Sequence, residues 1–223
     1  TPWVSTNAQL ALLCSTCESI DYLNIYNCAD CTDDTLNTCT TLTSINGKDP
    51  STGWSLTIQS CPLITSLAGL RHVTGPLPGG LQVWSMDKLV SLDGLEKVTS
   101  IGTDSGSGST SIYLDGNPVL VSAMALSNAK LSGTVLIDTG CPSLVCVPSS
   151  SSWSGATDGS GNPWKPAGTC PSDTPAPTPV PGSNDDDGGL GGGSGSIGMI
   201  AGIVAGALAL AAAYIFFVRG SAS

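Results

Sequence analysis

The feature that most constrains this chain is a stretch of sequence that occurs twice without a gap. Residues 55–74 superpose on residues 80–99 at an offset of 25. The shared positions are mostly apolar or glycine, namely Leu56/Leu81, Ile58/Val83, Ile64/Leu89, Leu67/Leu92, Gly69/Gly94, Leu70/Leu95 and Val73/Val98. A fixed period in this range is typical of repeat proteins. One repeat cannot cover its own apolar side, so the pattern predicts a stack of repeats around a shared core.

Short strands are predicted within these repeats, because apolar and polar residues alternate in five segments. The segments are 23–25, 56–58, 81–83, 112–114 and 135–137, and their starts lie 33, 25, 31 and 23 residues apart. The longer spacings coincide with turn-forming sequence at 46–50 and 103–110, which we interpret as insertions. The pattern predicts that the following residues are buried together: Leu56, Ile58, Leu67, Leu70, Leu81, Val83, Leu92 and Leu95.

A further position recurs three residues after the second apolar residue of each strand. It holds Cys28, Cys61, Met86, Asn117 and Gly140, and leucine-rich repeats place Asn or Cys there. We interpret Cys28 and Cys61, at this position, as free buried thiols. We expect Cys61 in particular to be unbridged, because the matching residue of the next repeat, Met86, offers no thiol.

The combined pattern, L-x-I-x-x-C/N-P-x-L-x-S-L-x-G-L-x-x-V, resembles the receptor L domain. This is the leucine-rich-repeat-like module of the insulin and epidermal growth factor receptor ectodomains and of some fungal wall proteins. The resemblance covers about residues 20–147. It implies an α/β-type fold, a short right-handed β-solenoid with parallel strands, closed by a cap at residues 1–20 and by cysteine-rich ends. Relatives of this kind bind proteins or serve as wall and surface structures.

A binding surface is predicted on the side chains that alternate outward from the strands, which we call the strand face. It comprises Asn24, Tyr26, Thr57, Gln59, Gln82, Trp84, Tyr113, Asp115, Leu136 and Asp138. The outer sheet of a solenoid is its usual binding surface, and aromatic side chains are enriched at recognition sites. The predicted ligand-binding residues are Tyr26, Gln59, Trp84, Tyr113, Asp115 and Asp138. The alternative is that the aromatic side chains only pack against the sheet.

Nine cysteines in a short chain indicate an oxidising compartment. We expect disulfides in an N-terminal cap with a helix begun by Ser5, Thr6 or Asn7, and in a C-terminal cap. The cap cysteines are Cys14, Cys17, Cys31 and Cys39 at one end and Cys141, Cys146 and Cys170 at the other. An odd number leaves at least one thiol unpaired or bonded to another chain. Cys14-x-x-Cys17 and Cys28-x-x-Cys31 also have the spacing of a four-thiolate zinc knuckle, which is the alternative interpretation of this segment.

The C-terminal third changes composition. Residues 148–196 are rich in Ser, Thr, Pro and Gly, and predict an extended, O-glycosylated stalk. Residues 197–218 form an uncharged apolar run long enough to span a bilayer, followed by a tail at 219–223 that begins with Arg219. A glycosylphosphatidylinositol anchor is the alternative. Gly198, Gly202 and Gly206 recur every four residues, a pattern that predicts a homodimer of spanning helices.

Several function classes are disfavoured by the residues present. A net charge of −10 with only seven basic residues offers no footprint for nucleic acid. The single histidine, His72, has no partner with which to form a catalytic arrangement. The chain also suggests no cofactor and, on the preferred interpretation, no metal. Thr1 is interpreted as a mature N-terminus, or as the start of a fragment.

The sequence therefore predicts a non-enzymatic recognition module at the plasma membrane or cell surface, with a single span and an extracellular N-terminus. Its strand face would bind an extracellular protein or a glycan. The alternative is a wall or coat component that assembles with copies of itself.

Overall fold

A computed structural model describes residues 3–102, 110–166, 168 and 170. All of them belong to one compact unit, Thr1–Ala176. The helices are α1 (Asn7–Thr16), α2 (Asp33–Leu36) and α3 (Ser151–Ser154), with short 3-10 helices at Ala68–Leu70 and Met124–Leu126. The strands are β1 (Trp3–Val4), β2 (Ser19–Ile20), β3 (Leu23–Tyr26), β4 (Ser44–Ile45), β5 (Leu56–Gln59), β6 (Gly75–Leu77), β7 (Leu81–Trp84), β8 (Val98–Ile101), β9 (Thr110–Asp115), β10 (Lys130–Leu131) and β11 (Thr134–Ile137).

These strands form three sheets. The largest has six strands in the order β1-β3-β5-β7-β9-β11, and the others have the orders β10-β8-β6 and β2-β4. Each pairing between these strands is parallel. The described part of the chain thus has mostly parallel strands and few helices, which is compatible with a solenoid-like α/β fold. The six-stranded sheet stays open, with β1 and β11 outermost.

The five strands predicted from the repeats are confirmed. They are β3, β5, β7, β9 and β11, and they lie side by side in the order in which they occur in the sequence. Their register keeps equivalent positions in phase, because Leu56 pairs with Leu81 and Ile58 pairs with Val83. The eight residues predicted to form the core are all fully buried. The apolar period of the repeats therefore does set the inward side of each strand.

Some of the sheet structure was not predicted. The strand at 23–25 was expected to be the first, but Trp3–Val4 precedes it and pairs with β3. The cap at residues 1–20 thus contributes a strand as well as helix α1. That helix begins after Thr6, one of the three expected capping residues, whose hydroxyl accepts a hydrogen bond from the Gln9 amide at 3.3 Å. The two smaller sheets have no signature in the repeat comparison.

The glycine shared by the repeats is explained by close packing of successive backbones. A Cβ atom on Gly94 would overlap the carbonyl oxygen of Leu67 in the preceding repeat, and Gly94 also has φ of +112°. Gly69, at the same position, would overlap the carbonyl oxygen of Leu36 in the same way. Side chains at these positions would force the repeats apart, which is why the sequence Leu-x-Gly-Leu recurs.

The recurring Asn/Cys position is buried in four of its five occurrences, at Cys28, Cys61, Met86 and Asn117. Gly140 is the exception and is partly exposed. The Asn117 side chain connects two turns, because its Oδ1 accepts from the Met86 amide at 3.0 Å and its Nδ2 donates to the Val83 carbonyl at 2.9 Å. Asn117 therefore satisfies backbone groups that the turn after β7 would leave unpaired.

Disulfides join Cys14 to Cys39, Cys28 to Cys31, and Cys146 to Cys170. The expected bridges in both caps are confirmed, as is the prediction that Cys61 is buried and unbridged. Cys28 was considered a free thiol of the repeat, and this is wrong, because it bonds to Cys31 three residues away. The zinc-knuckle alternative needs four thiolates, and three of its four cysteines are in disulfides.

No helix within residues 3–102, 110–166, 168 and 170 combines the length and hydropathy needed to cross a bilayer. The predicted span at 197–218 lies outside the described residues. So do the tail at 219–223, the glycines Gly198, Gly202 and Gly206, and residues 171–196 of the stalk. The expectation that the stalk is extended from residue 148 is wrong, because its first part contains α3, and Trp153 and Ala156 are buried in the core.

Candidate binding face

The strand face is built by the register of the large sheet, which aligns outward side chains in rows. One row contains Tyr26, Gln59, Trp84 and Asp115, one residue from each of four neighbouring strands. A second row contains Asn24, Thr57, Gln82, Tyr113 and Leu136. The structure thus brings the predicted site residues onto neighbouring strands of one sheet.

An exposed aromatic pair lies over β7 and β9. Trp84 is 37% exposed, and its ring meets that of Tyr113 edge to face, with centroids 6.5 Å apart. Neighbouring strands are about 4.8 Å apart, so rings on diagonal positions of the two rows are within reach of each other. Pairs of this geometry add to stability beyond the area they bury. The structure therefore brings Trp84 and Tyr113, both predicted ligand-binding residues, together in one patch.

The Tyr113 hydroxyl is held by a carboxylate on the same strand. It donates a hydrogen bond to Asp115 Oδ2 at 3.2 Å. Burial of the ring, followed by the negative charges of Asp115 and Asp138, raises the pKa of Tyr113 to about 12. The phenol therefore stays protonated well above neutral pH and can donate this hydrogen bond, which holds the ring beside Trp84.

The strand face is not open along its whole length, which corrects the expectation of a continuous exposed surface. Asn24, Thr57 and Gln59, over β3 and β5, are only 2%, 6% and 9% exposed. Gln59 was a predicted ligand-binding residue, and in the structure only a small part of it reaches solvent. Residues 46–54, which include the predicted insertion at 46–50, lie over this half of the face, where Asp49 contacts Asn24 and Thr52 lies beside Thr57 and Gln59.

Backbone hydrogen bonds position the 46–54 segment. The Asn46 amide donates to the carbonyl of Ile20, and the Gly47 amide donates to that of Asp21. The segment then folds on itself, because the Asp49 amide donates to the carbonyl of Trp54 at 2.8 Å. The segment thereby brings the side chains of Asp49 and Thr52 to the sheet.

Asp49 is a buried carboxylate, 2% exposed, that anchors the segment to β3. Its Oδ2 accepts from Asn24 Nδ2 at 2.6 Å, and its Oδ1 accepts from the amide and hydroxyl of Ser51. Burial opposes ionisation of this group, but the hydrogen bonds donated by Ser51, Asn24 and the Thr52 amide outweigh burial and lower the pKa of Asp49. The carboxylate is therefore charged at neutral pH.

A small cavity remains between the 46–54 segment and the strands, and we call it the Asn24 cavity. Its volume is about 70 Å³. Its walls are formed by Trp3, Asn24, Tyr26, Thr52, Thr57, Gln59 and Gln82. The Trp3 and Tyr26 rings meet edge to face on one side, with centroids 5.9 Å apart. Each of the seven side chains is uncharged, so the cavity suits a neutral polar group.

Asp138 lies at the other end of the strand face, in a different depression. This depression has a volume of about 210 Å³ and is also lined by Cys141, Asp158, Trp164 and Lys165. Hydrogen bonds donated by Asn162 hold the pKa of Asp158 below its ordinary value. The predicted site residues therefore divide among the Asn24 cavity, the Trp84–Tyr113 pair and this C-terminal depression.

Trp3, Thr52 and Gln82 line the Asn24 cavity but were not predicted as site residues. Gln82 was assigned to the strand face, and its outward position was the available signal. The Asp49-Pro50-Ser51 sequence indicated a turn, but nothing in it shows which side of the sheet the turn covers. Trp3 was placed in the cap, where no periodic pattern indicates strand β1.

One group of metal-type donors occurs in the part of the chain that the structure describes, and it consists of Cys28, Asp30 and Cys31. The two cysteines are bonded to each other. A disulfide sulfur lacks the thiolate charge that binds zinc, so these residues do not form a metal site in this state.

Comparisons of the chain with protein-family models, with curated proteins and with solved structures found no match.

Proposed function

We propose that this chain is a non-enzymatic recognition module displayed at a cell surface. The fold proposed for it is a leucine-rich-repeat-like, right-handed β-solenoid of the receptor L type with disulfide-bonded caps. In support, in-phase apolar repeats form one parallel sheet, the Asn/Cys position is buried in four repeats, and both ends carry disulfides. Disulfides of this number are typical of an oxidising, extracellular environment.

The observation that carries the proposal is the exposed Trp84–Tyr113 pair. A tryptophan held in place by a neighbouring ring and by the Tyr113–Asp115 hydrogen bond offers a large contact area at low cost in side-chain entropy. Such anchors contribute a large share of binding energy at known interfaces. The ligand proposed for this surface is an extracellular protein or a glycan.

Membrane attachment belongs to the same proposal and rests on the sequence. The part of 148–196 that follows the compact unit Thr1–Ala176 would form a glycosylated stalk, residues 197–218 the single span, and residues 219–223 a cytoplasmic tail. Gly198, Gly202 and Gly206 would support a homodimer within the membrane.

A second candidate, a wall or coat component that assembles with itself, is favoured by a different observation. Exposed apolar side chains recur outside the strand face, at Leu63, Val90, Val119 and Met124. Their exposed fractions are 42%, 50%, 41% and 39%. Backbone hydrogen bonds join the repeats that carry them, since Val121 donates to Val90. Recurring exposed apolar groups of this kind can mediate contacts between copies.

The two candidates are separated by solution mass and by binding. The unit Thr1–Ala176 should remain monomeric over a wide concentration range if it is a recognition module, whereas concentration-dependent polymers would favour assembly. Labelled protein is then tested against panels of soluble polysaccharides and secreted proteins, with Trp84→Ala as the variant and Leu63→Ala as the matched control. Loss of binding in the first variant alone supports the proposal. A ligand that both variants bind normally contradicts it.

A further inference from the structure

The Asn24 cavity contains a buried acceptor that the protein does not satisfy. Asn24 is 2% exposed, and its Oδ1 has no hydrogen-bond partner among the residues that the structure describes. The orientation of its amide is fixed, because a carboxylate accepts but does not donate hydrogen bonds, so Nδ2 must be the atom that faces Asp49 Oδ2. A buried carbonyl oxygen of this kind calls for a donor from outside the chain, either an ordered water or a group of a ligand that displaces it.

The side chains that line the cavity indicate which class of ligand would supply that donor. The Thr57 hydroxyl and Gln82 Oε1 are 3.5 Å apart, and Gln59 adds a second neutral amide. Amide and hydroxyl side chains both donate and accept hydrogen bonds. They therefore match a ligand that carries many hydroxyl groups, since a hydroxyl also does both. The Trp3 and Tyr26 rings add an apolar wall, against which the C–H face of a sugar ring packs.

Charge excludes other ligand classes. The cavity lining contains no cationic side chain, so a phosphate or sulfate group would find no counter-charge there. The buried Asp49 carboxylate, held ionised next to the cavity, also disfavours an anion. A protein ligand anchored by an apolar side chain would leave the Asn24 oxygen unpaired, which opposes its binding.

The volume of the cavity limits how much of the ligand can enter it. A volume of about 70 Å³ accepts one substituent, such as a hydroxyl, hydroxymethyl or acetamido group, and not a whole sugar ring. The ring itself would rest on Trp3 and Tyr26. The Trp84–Tyr113 pair lies two strands away from Tyr26, a distance of about 10 Å across the sheet. A ligand that contacts both aromatic pairs must therefore be an extended chain.

We infer that the strand face binds a neutral glycan chain, one substituent of which enters the Asn24 cavity and donates a hydrogen bond to Asn24. This inference rests on the proposed function, because it names the ligand class of the same surface. The chain would run from the Trp3–Tyr26 pair across Gln82 to the Trp84–Tyr113 pair.

The test uses the purified full chain in a detergent without a sugar headgroup, since a glycosidic detergent would compete. Calorimetric titrations use neutral hexasaccharides of glucose, mannose and N-acetylglucosamine, with heparin as an anionic comparison. We expect at least one neutral hexasaccharide to bind and heparin not to bind. Gln82→Ala and Tyr26→Ala should each weaken that binding by about tenfold or more. Leu63→Ala should leave it unchanged.

Thr52→Val exchanges a hydroxyl at the cavity wall for a methyl group of similar size. The Thr52 hydroxyl also accepts a long hydrogen bond, of 3.5 Å, from the Trp54 amide, so the variant should weaken binding of the hexasaccharide and lower the melting temperature only slightly. If none of the neutral hexasaccharides binds, the glycan inference is overturned. The proposed function still stands in that case if a secreted protein binds and loses affinity in Trp84→Ala. If a hexasaccharide binds equally well to Gln82→Ala, Thr52→Val and Trp84→Ala, the strand face is not its site and the glycan inference is wrong, whereas the proposed function is wrong only if no secreted protein loses affinity in Trp84→Ala either.

Discussion

Gly94→Ala should destabilise the protein through two effects that the structure separates. The first is conformational, because φ of +112° is a region that L-residues avoid, at a cost of about 1–3 kcal/mol. The second is steric, because the new Cβ would overlap the Leu67 carbonyl of the preceding repeat, and overpacking costs about 1–3 kcal/mol. Alanine also lowers the conformational entropy of the unfolded chain relative to glycine, which stabilises the fold by about 0.4–1 kcal/mol. The expected net loss is about 1–6 kcal/mol.

Gly75→Ala is the matched control. Gly75 has a similar positive φ of +86°, but a Cβ there would meet no atom within 4 Å. The control therefore reports the conformational cost alone, and the difference between the variants reports the packing of one repeat on the next. Both variants are unfolded in denaturant under non-reducing conditions and followed by tryptophan fluorescence. If Gly94→Ala is as stable as Gly75→Ala, the close approach of the repeats at this position is not real.

Four further outcomes are expected. Leu92→Ala should lower the free energy of unfolding by about 2–5 kcal/mol, because Leu92 is fully buried; a denaturant melt that overlays the parent would remove it from the core. Alkylation of the native protein should label Cys17 alone among the free thiols, since Cys61 and Cys141 are buried and burial raises the pKa of both. Labelling of Cys61 or Cys141 before unfolding would contradict the structure. Trp84→Ala should cost a bound ligand about 2 kcal/mol or more and change the melting temperature little; normal binding with early melting would show that the ring only packs. Asp49→Asn should flatten the loss of stability on acidification that the parent shows.

The sign of the Asp49 effect follows from the direction of its pKa shift. The folded pKa lies below that of the unfolded chain, which is about 3.9. The carboxylate therefore stabilises the fold above that pH, and its contribution is lost as the pH falls through the folded pKa. Acid denaturation of parent and variant along the same pH series measures it. Identical acid limbs would show that Asp49 does not anchor the 46–54 segment.

The repeat sequence predicted the part of the fold that depends on local period. Alternating apolar residues located β3, β5, β7, β9 and β11, because the inward side of a strand is set by a period of two that any repeat must keep. The shared glycine and the Asn/Cys position could be identified because each recurs at a fixed place in successive repeats. Residues such as Leu92 and Cys61 therefore behaved as expected, with full burial in both cases.

The parts that were not predicted depend on contacts between segments distant in sequence. The 46–54 segment contains ordinary turn residues. It is placed over one half of the strand face by the Asp49–Asn24 hydrogen bond and by the backbone hydrogen bonds of Asn46 and Gly47. Trp3 joins the sheet through a strand of two residues, which is too short to leave a period. The Cys28–Cys31 bridge was missed because the repeat position alone accounted for Cys28. Position within a repeat predicts burial well, but not which other segment lies on top.

The stacking of the repeats also determines how the molecule resists mechanical unfolding. In such a stack each inner repeat is held by neighbours on two sides, and each end repeat by one, so fraying starts at the ends. The bridges Cys14–Cys39 and Cys146–Cys170 lie at these two ends and close loops with sequence separations of 25 and 24. Loops of this length restrict the unfolded chain by about 3.5 kcal/mol each. A pulling force applied through the C-terminal segment would therefore act on the Cys146–Cys170 disulfide before it acted on the hydrogen bonds of β11.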